Sequence, residues 1–164
     1  MIVAFIGSDD FKRTVPITVK MMNVITKLVT DEGADVFLFT NEGVFDEYCW
    51  QIVNKLKTRH RNIMRVFVET GFEDNIEEPP VLELFYDKII SLKSLCQDKM
   101  LAPYARNRFM IGMSDVLVTY LDVLNLKTPR IASITEEAIK FAKRYKKRII
   151  NLVENSYSTP TILL

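Results

Sequence analysis

The sequence predicts an α/β protein in which a mainly parallel sheet of five strands lies between two layers of helices. Short apolar segments that suit buried strands recur along the chain, and segments whose apolar residues follow helical spacing alternate with them. Strands joined through helices form right-handed crossovers and pair in parallel. We therefore expect a Rossmann-like three-layer sandwich. Its predicted strands are Ile2–Ile6, Val36–Phe39, Ile63–Val68, Val116–Tyr120 and Arg148–Val153.

Two helices are predicted between the first three strands. Pro16 suits the first turn of a helix, and Gly33 stands where a helix would end. The apolar residues between them recur at helical spacing. The second helix is predicted from about Phe45 to His60, because its apolar residues follow an i, i+3, i+4, i+7 pattern.

The stretch from residue 69 to residue 103 is predicted as a long insertion within a single domain that spans residues 1–164. It contains Pro79-Pro80, a short helix predicted at Phe85–Leu95, and seven carboxylates between Glu69 and Asp87 without a lysine or arginine. Long irregular insertions in compact domains are usually functional or mobile. We expect a lid or an interface here.

The C-terminal part of the chain continues the alternation. A helix is predicted at Tyr104–Met113 before the fourth strand, and a loop at Leu121–Arg130 after it. A last helix is predicted at Thr135–Tyr145 before the fifth strand.

Composition and charge exclude several classes of protein. Met1–Ile6 lacks the basic region of a signal peptide, and no apolar run approaches the roughly 20 residues that span a bilayer. We therefore expect a cytoplasmic chain with no membrane partner.

Two cysteines, Cys49 and Cys96, and one histidine, His60, match no metal spacing, so neither a metal nor a cofactor is expected. The net charge is +1, and the basic run Lys140–Arg148 fits a helix C-terminus, so nucleic acid is not expected as a partner.

The candidate site lies where the strands end. In an open parallel sheet, ligands bind in the crevice outside the carboxyl ends of the strands. Four segments would meet there: Gly7-Ser8-Asp9, Thr40–Gly43, Arg106–Arg108 and Ile131–Glu137. The predicted ligand-binding residues are Gly7, Ser8, Thr40, Asn41, Gly43, Asp46, Arg106, Ser133 and Thr135.

The turn from Thr40 to Gly43 is central to this prediction. Gly43 would let backbone N–H groups approach an anion, and Thr40 and Asn41 would add side-chain donors. The alternative is that these residues only turn the chain and cap the next helix. Glu42 repels a bare phosphate and suits a ribose hydroxyl better. Asp46 could have a purely structural role, because a carboxylate near the start of a helix interacts favourably with the helix dipole.

Two other segments offer positive charge or N–H donors. Arg106 and Arg108 lie two positions apart and do not share one helix face. One would bind a phosphate with two guanidinium nitrogens, while the other would pair with the acidic insertion. Ser133–Glu136 has the pattern of a capping box, and a helix that begins there would also bind an anion.

Three blocks of the chain resemble proteins of the SLOG superfamily. Phe39-Thr-Asn-Glu-Gly-Val-Phe-Asp46 resembles their strand-turn-helix motif, which ends in Gly-Phe-Asp. Ala105-Arg-Asn-Arg-Phe-Met-Ile-Gly-Met-Ser-Asp115 resembles the Arg-Asn-Arg-x-Met-x-x-x-x-Asp segment of small bacterial members. Ser133-Ile-Thr135, with the helix and strand that follow, is similar to their Ser-Gly-Thr turn. The blocks cover most of the chain outside residues 69–103.

The resemblance implies a Rossmann-like fold that binds nucleotides or nucleotide derivatives. The superfamily includes LOG-type phosphoribohydrolases and DprA-type DNA-processing proteins. Glu137 stands two positions after Thr135, where the hydrolases have their catalytic acid.

Three functions remain open at this point. The leading hypothesis is a domain that binds a nucleotide-like small molecule, with Arg106 neutralising its phosphate. An alternative is N-glycosidic hydrolysis of nucleoside monophosphates, in which Glu137 or Asp46 assists departure of the base. The third is a non-catalytic module that forms a homo-oligomer through residues 69–103 and the basic end of the last helix.

Overall fold

The structure, a computed structural model, describes residues 1–8, 11–73, 79–122 and 129–153. Within these residues the sheet has six strands, and every pair of neighbours is parallel. The order across the sheet is β4-β3-β2-β1-β5-β6. The strands are β1 Ile2–Gly7, β2 Val36–Phe39, β3 Met64–Glu69, β4 Lys88–Ser91, β5 Val116–Tyr120 and β6 Arg148–Asn151. The parallel α/β fold is confirmed, but the prediction of five strands is wrong.

The additional strand, β4, lies in the insertion where a short helix was expected. Ile89 packs against the core on one face of the sheet and Ile90 against the core on the other, as alternate residues of a strand do. Asp87, directly before β4, accepts hydrogen bonds from the backbone N–H of Arg65 (2.8 Å) and from its Nε (3.1 Å). This contact with β3 is distant in sequence, and it aligns the strand.

Helices cover both faces of the sheet. The helices are α1 Val15–Thr30, α2 Gly43–Lys57, α3 Pro79–Phe85, α4 Ala102–Met113 and α5 Pro129–Arg144. One core joins α1, α2 and α3 to the sheet and includes Phe5, Phe37, Phe39 and Phe67. The other core joins α4 and α5 to the opposite face, through Leu38, Met110, Leu117 and Ala142 among others. Because both faces of the sheet are buried, its central strands β1, β2 and β5 consist almost entirely of apolar residues. Within the described residues, no helix has the length and apolar character needed to cross a membrane.

The strand order reverses at β1, which lies between β2 and β5. The connection after β1 leads to one side of the sheet, and the connection after β5 leads to the other. The crevice for a ligand is expected at such a reversal point. Here the backbone N–H of Ser8 donates to the carbonyl of Tyr120 at 3.0 Å and holds the two strand ends together.

The C-terminal end of the basic run lies at the opposite edge of the sheet from this crevice. The end of α5 leads into the beginning of β6, so it lies at the opposite edge of the sheet. There Lys147 Nζ donates to the carbonyl of Ser114 at 2.7 Å, and Arg148 pairs with Glu32. These two cations therefore stabilise the fold at the other edge.

Candidate functional site

A cavity of about 110 Å³ opens at the carboxyl edge of the sheet, and it is named here the arginine cavity. Residues from β1, from the turn after β2, and from α2, α4 and α5 line it. They are Ile6, Gly7, Thr40, Glu42, Asp46, Pro103, Arg106, Asn107, Ile134 and Thr135. Five of the predicted site residues, Gly7, Thr40, Asp46, Arg106 and Thr135, thus lie around one cavity although they come from distant parts of the sequence.

The other predicted site residues lie elsewhere. Asn41 and Gly43 line a neighbouring groove, and Ser8 is buried beneath the strand ends. Glu137 is half-exposed, pairs with Lys140 at 3.1 Å, and lines a different cavity beside Arg108. The side chain of Ser133 lies outside the described residues. The roles of these residues, and of those in the arginine cavity, stay predictions.

The predicted capping box does not begin the last helix. Helix α5 begins at Pro129, so Ser133–Glu136 lies inside it. Proline at the first helical position is also a start signal, and here the earlier signal determines the boundary. Thr135 therefore reaches the arginine cavity from within α5.

Gly7 has a packing role at the end of β1. A Cβ atom at this position would lie 2.2 to 2.9 Å from side-chain atoms of Phe45. Any larger residue would displace Phe45 from the core below α2. Packing against Phe45 thus accounts for glycine at this position, and its predicted role in ligand binding stays a prediction.

Asp46 organises the turn between β2 and α2. Its carboxylate accepts the backbone N–H groups of Thr40 at 3.1 Å and Asn41 at 2.9 Å. Asn41 and Gly43 adopt positive φ angles of 55° and 78°, conformations that asparagine and glycine tolerate best. Two N–H groups of the turn, which could cradle an anion, are thus bound to a carboxylate of the same chain.

Asp46 also places a titratable group in the arginine cavity. Burial raises its pKa to about 7, against the opposing effects of the hydrogen bonds from Thr40 and Asn41 and of the charge on Arg106. The charge of the cavity therefore changes near neutral pH.

Arg106 is the cation of the cavity, and it is 3% exposed. Its two terminal nitrogens bind the two carboxylate oxygens of Glu42, one of them at 2.9 Å. Nη1 also lies 3.5 Å from Glu73. Within the described residues, Nε is buried and has no hydrogen-bond partner. A guanidinium held in this way presents a fork to a planar or tetrahedral oxyanion.

The two carboxylates beside Arg106 differ in freedom. The side chain of Glu73 is 5% exposed, and it accepts the N–H of Gly71 at 2.7 Å and the hydroxyl of Thr70 at 2.9 Å. Burial raises the pKa of Glu73, but the hydrogen bonds from Thr70 and Gly71 outweigh this and lower it below its usual value. The Glu42 side chain is 48% exposed and can rotate into solvent.

The arginine pair was predicted in part. One arginine was expected to face the site and the other to pair with the acidic insertion. Arg106 does both: it lines the arginine cavity, where it pairs with Glu42, and it also pairs with Glu73 of the insertion. Arg108 instead places its guanidinium 5.7 Å from the ring centroid of Phe141 on α5. Two positions on a helix point in nearly opposite directions, which separates the two side chains.

A larger space of about 610 Å³ lies on the other side of the turn, between α2 and α3, and is named here the aromatic groove. It is lined by Asn41, Gly43, Val44, Glu47, Trp50, Gln51, Leu82, Phe85 and Tyr86. The hydroxyl of Tyr86 donates to Oδ1 of Asn41 at 3.1 Å and joins the groove to the turn. Sequence analysis missed the groove, because α3 was not predicted at Pro79–Phe85.

Fold and cavity together define a Rossmann-like α/β protein with a buried arginine at the point where the strand order reverses. No protein-family model matches the chain. No curated protein matches its sequence. Among solved structures, the chain is similar to DNA processing protein A from Helicobacter pylori, with a TM-score of 0.60 and 18% identity over 98% of this chain and 68% of that one. At this identity the likeness shows a shared fold alone.

This comparison bears on two of the expectations from sequence. The Rossmann-like fold that the SLOG resemblance implied is confirmed, since DprA-type proteins were among the relatives that it named; the comparison shows this fold and not the superfamily. The structure of DNA processing protein A was described for its single-stranded DNA binding mode. The expectation against nucleic acid as a partner is therefore wrong, because it excluded a ligand that a chain of the same fold binds.

Proposed function

We propose that this chain is a nucleotide-binding domain of the SLOG type, which holds the phosphate of a nucleotide on Arg106 at the carboxyl edge of the sheet. The observation that supports this most is the pairing of Arg106 with Glu42. The buried guanidinium donates a hydrogen bond to each oxygen of a half-exposed carboxylate. That carboxylate occupies the position in which two phosphate oxygens would bind.

The charged groups around the arginine cavity impose two conditions on phosphate binding. One arginine faces the carboxylates of Glu42, Glu73 and Asp46. A phosphate can bind Arg106 only when Glu42 has rotated away, and it binds better when Asp46 is protonated. We therefore expect affinity to rise when Glu42 loses its charge and when the pH falls below the pKa of Asp46.

The test is isothermal titration with the four common nucleoside monophosphates at about pH 6, where Asp46 is protonated. Arg106→Ala should abolish binding, and Arg106→Lys should weaken it, because lysine cannot offer two parallel N–H donors. Glu42→Gln should bind more tightly than the unchanged protein. Absence of binding by any nucleotide, or equal binding by Arg106→Ala, would refute the proposal.

A second candidate ligand is a single-stranded nucleic acid, favoured by the fold similarity to DNA processing protein A. The same titration with a single-stranded oligonucleotide separates it from a free nucleotide. A strand that contacts several phosphates binds with a steep salt dependence, whereas a mononucleotide on one arginine does not. Tighter, salt-dependent binding of the oligonucleotide that Arg106→Ala reduces would favour the strand.

Hydrolysis has less support than binding. Asp46 lines the arginine cavity but uses both carboxylate oxygens on the turn, and Glu137 lines a different cavity. Release of free base from nucleoside monophosphates, lost in Glu137→Gln, would establish it. An oligomeric module also has less support, because three of the four described carboxylates of the acidic run, Glu69, Glu73 and Asp87, pair within the chain.

A further inference from the structure

The turn after β2 separates two spaces of different chemistry. Thr40 and Glu42 line the arginine cavity, whereas Asn41 and Gly43 line the aromatic groove. Residues that alternate along one short turn therefore line both the arginine cavity and the aromatic groove. We propose that the aromatic groove is a nucleobase subsite, which takes a base with an exocyclic amino group. This rests on the proposed function, in which the phosphate of the same nucleotide binds Arg106.

The aromatic residues of the groove suit a flat ring. Phe85 is 41% exposed, and its ring centroid lies 5.8 Å from that of the half-buried Trp50, in an edge-to-face arrangement. The indole Nε1 donates to the carbonyl of Phe85 at 3.2 Å and ties α2 to α3. Tyr86 lies beneath, 6.5 Å from Trp50. Exposed aromatic rings held in place from the core are the stacking surfaces that bases use.

The volume of the groove and its polar residues favour a base over a phosphate. A space of about 610 Å³ is in the range that accommodates a nucleoside. Glu47 is the charged residue among those that line the groove, and its Oε1 accepts from Nε2 of Gln51 at 3.0 Å. A carboxylate repels a phosphate and accepts hydrogen bonds from an amino group. Adenine, cytosine and guanine carry such a group, and uracil does not.

The chain supplies its own reporter for this groove, since Trp50 is its single tryptophan. Nucleosides, nucleoside monophosphates and ribose 5-phosphate are titrated against the full chain, with tryptophan fluorescence and calorimetry recorded on the same samples. Adenosine and cytidine monophosphates should quench the fluorescence, whereas ribose 5-phosphate should bind without quenching.

Three variants assign the effect to the groove. Phe85→Ala should weaken the binding of adenosine monophosphate about tenfold, because one stacking surface is lost. The affinity for ribose 5-phosphate should not change. Glu47→Gln should lower the affinity for adenosine and cytidine monophosphates but not the affinity for uridine monophosphate. Leu84→Ala is the matched control, since Leu84 precedes Phe85 on α3, is 76% exposed and does not line the groove. It should bind every probe as the unchanged protein does.

The outcomes separate this inference from the proposed function. If adenosine monophosphate binds through Arg106 but leaves Trp50 unquenched and is unaffected by Phe85→Ala, the base lies elsewhere and the inference is wrong while the proposed function stands. If free adenosine quenches Trp50 and Phe85→Ala abolishes this, although no phosphate binds through Arg106, the groove stands and the proposed function fails. If no base or nucleotide quenches Trp50, the inference is overturned.

Discussion

Asp46 should make the protein less stable as the pH rises through neutrality. Its pKa is raised from 3.8 to about 7 in the folded state, chiefly by burial. The folded protein therefore holds a proton that the unfolded chain has already released. Between the unfolded and folded pKa values, each pH unit lowers the free energy of unfolding by up to about 1.4 kcal/mol, and this slope falls off as the pH approaches and passes 7. From about pH 5.5 to about pH 8 the loss amounts to about 2 kcal/mol, most of it below pH 7.

The chosen interval separates Asp46 from the other shifted carboxyl groups. The pKa values of Asp35, Glu73 and Asp87 are lowered in the folded state. Their contributions to stability are complete above their unfolded pKa values and disappear only as the pH falls through their folded ones. Above about pH 5.5 these groups are ionised in both states, so they add no slope.

The measurement is urea unfolding at several pH values across this interval. Asp46→Asn should remove the slope, because the amide does not titrate, although the variant should be less stable at low pH after losing one acceptor for the turn. Since histidine side chains titrate in the same range, the series is repeated in His60→Gln, which removes the chain's single histidine. A slope that persists in Asp46→Asn, or greater stability at pH 8 than at pH 5.5, would refute the reasoning.

The remaining predictions concern packing and the additional strand. Gly7→Ala should destabilise the protein by about 1 to 3 kcal/mol in urea unfolding, because its Cβ would overlap Phe45. Gly112→Ala, where a Cβ meets nothing within 4 Å, should instead be neutral or stabilise by about 0.5 kcal/mol; equal losses at both positions would contradict the packing argument. Asp87→Asn should cost about 2 kcal/mol, because it weakens the acceptor of Arg65, and should speed amide hydrogen exchange in β4. Unchanged exchange in β4 would show that this carboxylate does not align the strand.

Five strands and the parallel sheet were predictable because their signals are local. Each of the five is a short run of apolar residues between turns, and both faces of the sheet are buried. The strand β4 was not predictable in this way. Its apolar residues are the half-buried pair Ile89-Ile90 between Lys88 and Ser91, and this run is too short to show a period. Its position depends on the contact of Asp87 with Arg65, 22 residues earlier.

The place of the arginine cavity could be predicted from the sequence, but the ion pairs within it could not. The rule that parallel strands end at one edge was enough to bring Gly7, Thr40, Asp46, Arg106 and Thr135 around one cavity. The partners of Arg106 come from the turn after β2 and from the insertion, 64 and 33 residues away. Only the folded chain shows which carboxylates neutralise a given arginine.

The error about nucleic acid has a physical cause in the use of net charge. A net charge of +1 describes the field of the whole chain at a distance, which affects association and nonspecific binding. It says little about one buried guanidinium whose partners are within 4 Å. The expectation also depended on the basic run. The end of this run lies at the opposite edge of the sheet, where Lys147 bonds to the carbonyl of Ser114 and Arg148 pairs with Glu32.

The turn from Thr40 to Gly43 determines how a ligand can use this site. Asp46 satisfies the N–H groups of Thr40 and Asn41, so the turn cannot also cradle a phosphate without releasing its own carboxylate. In the proposed function, Arg106 would therefore bind the phosphate on one side of the turn, and the aromatic groove lies on the other side. A ligand that used both the arginine cavity and the aromatic groove would carry an anion on one side of this turn and a flat ring on the other, as we propose for a nucleotide.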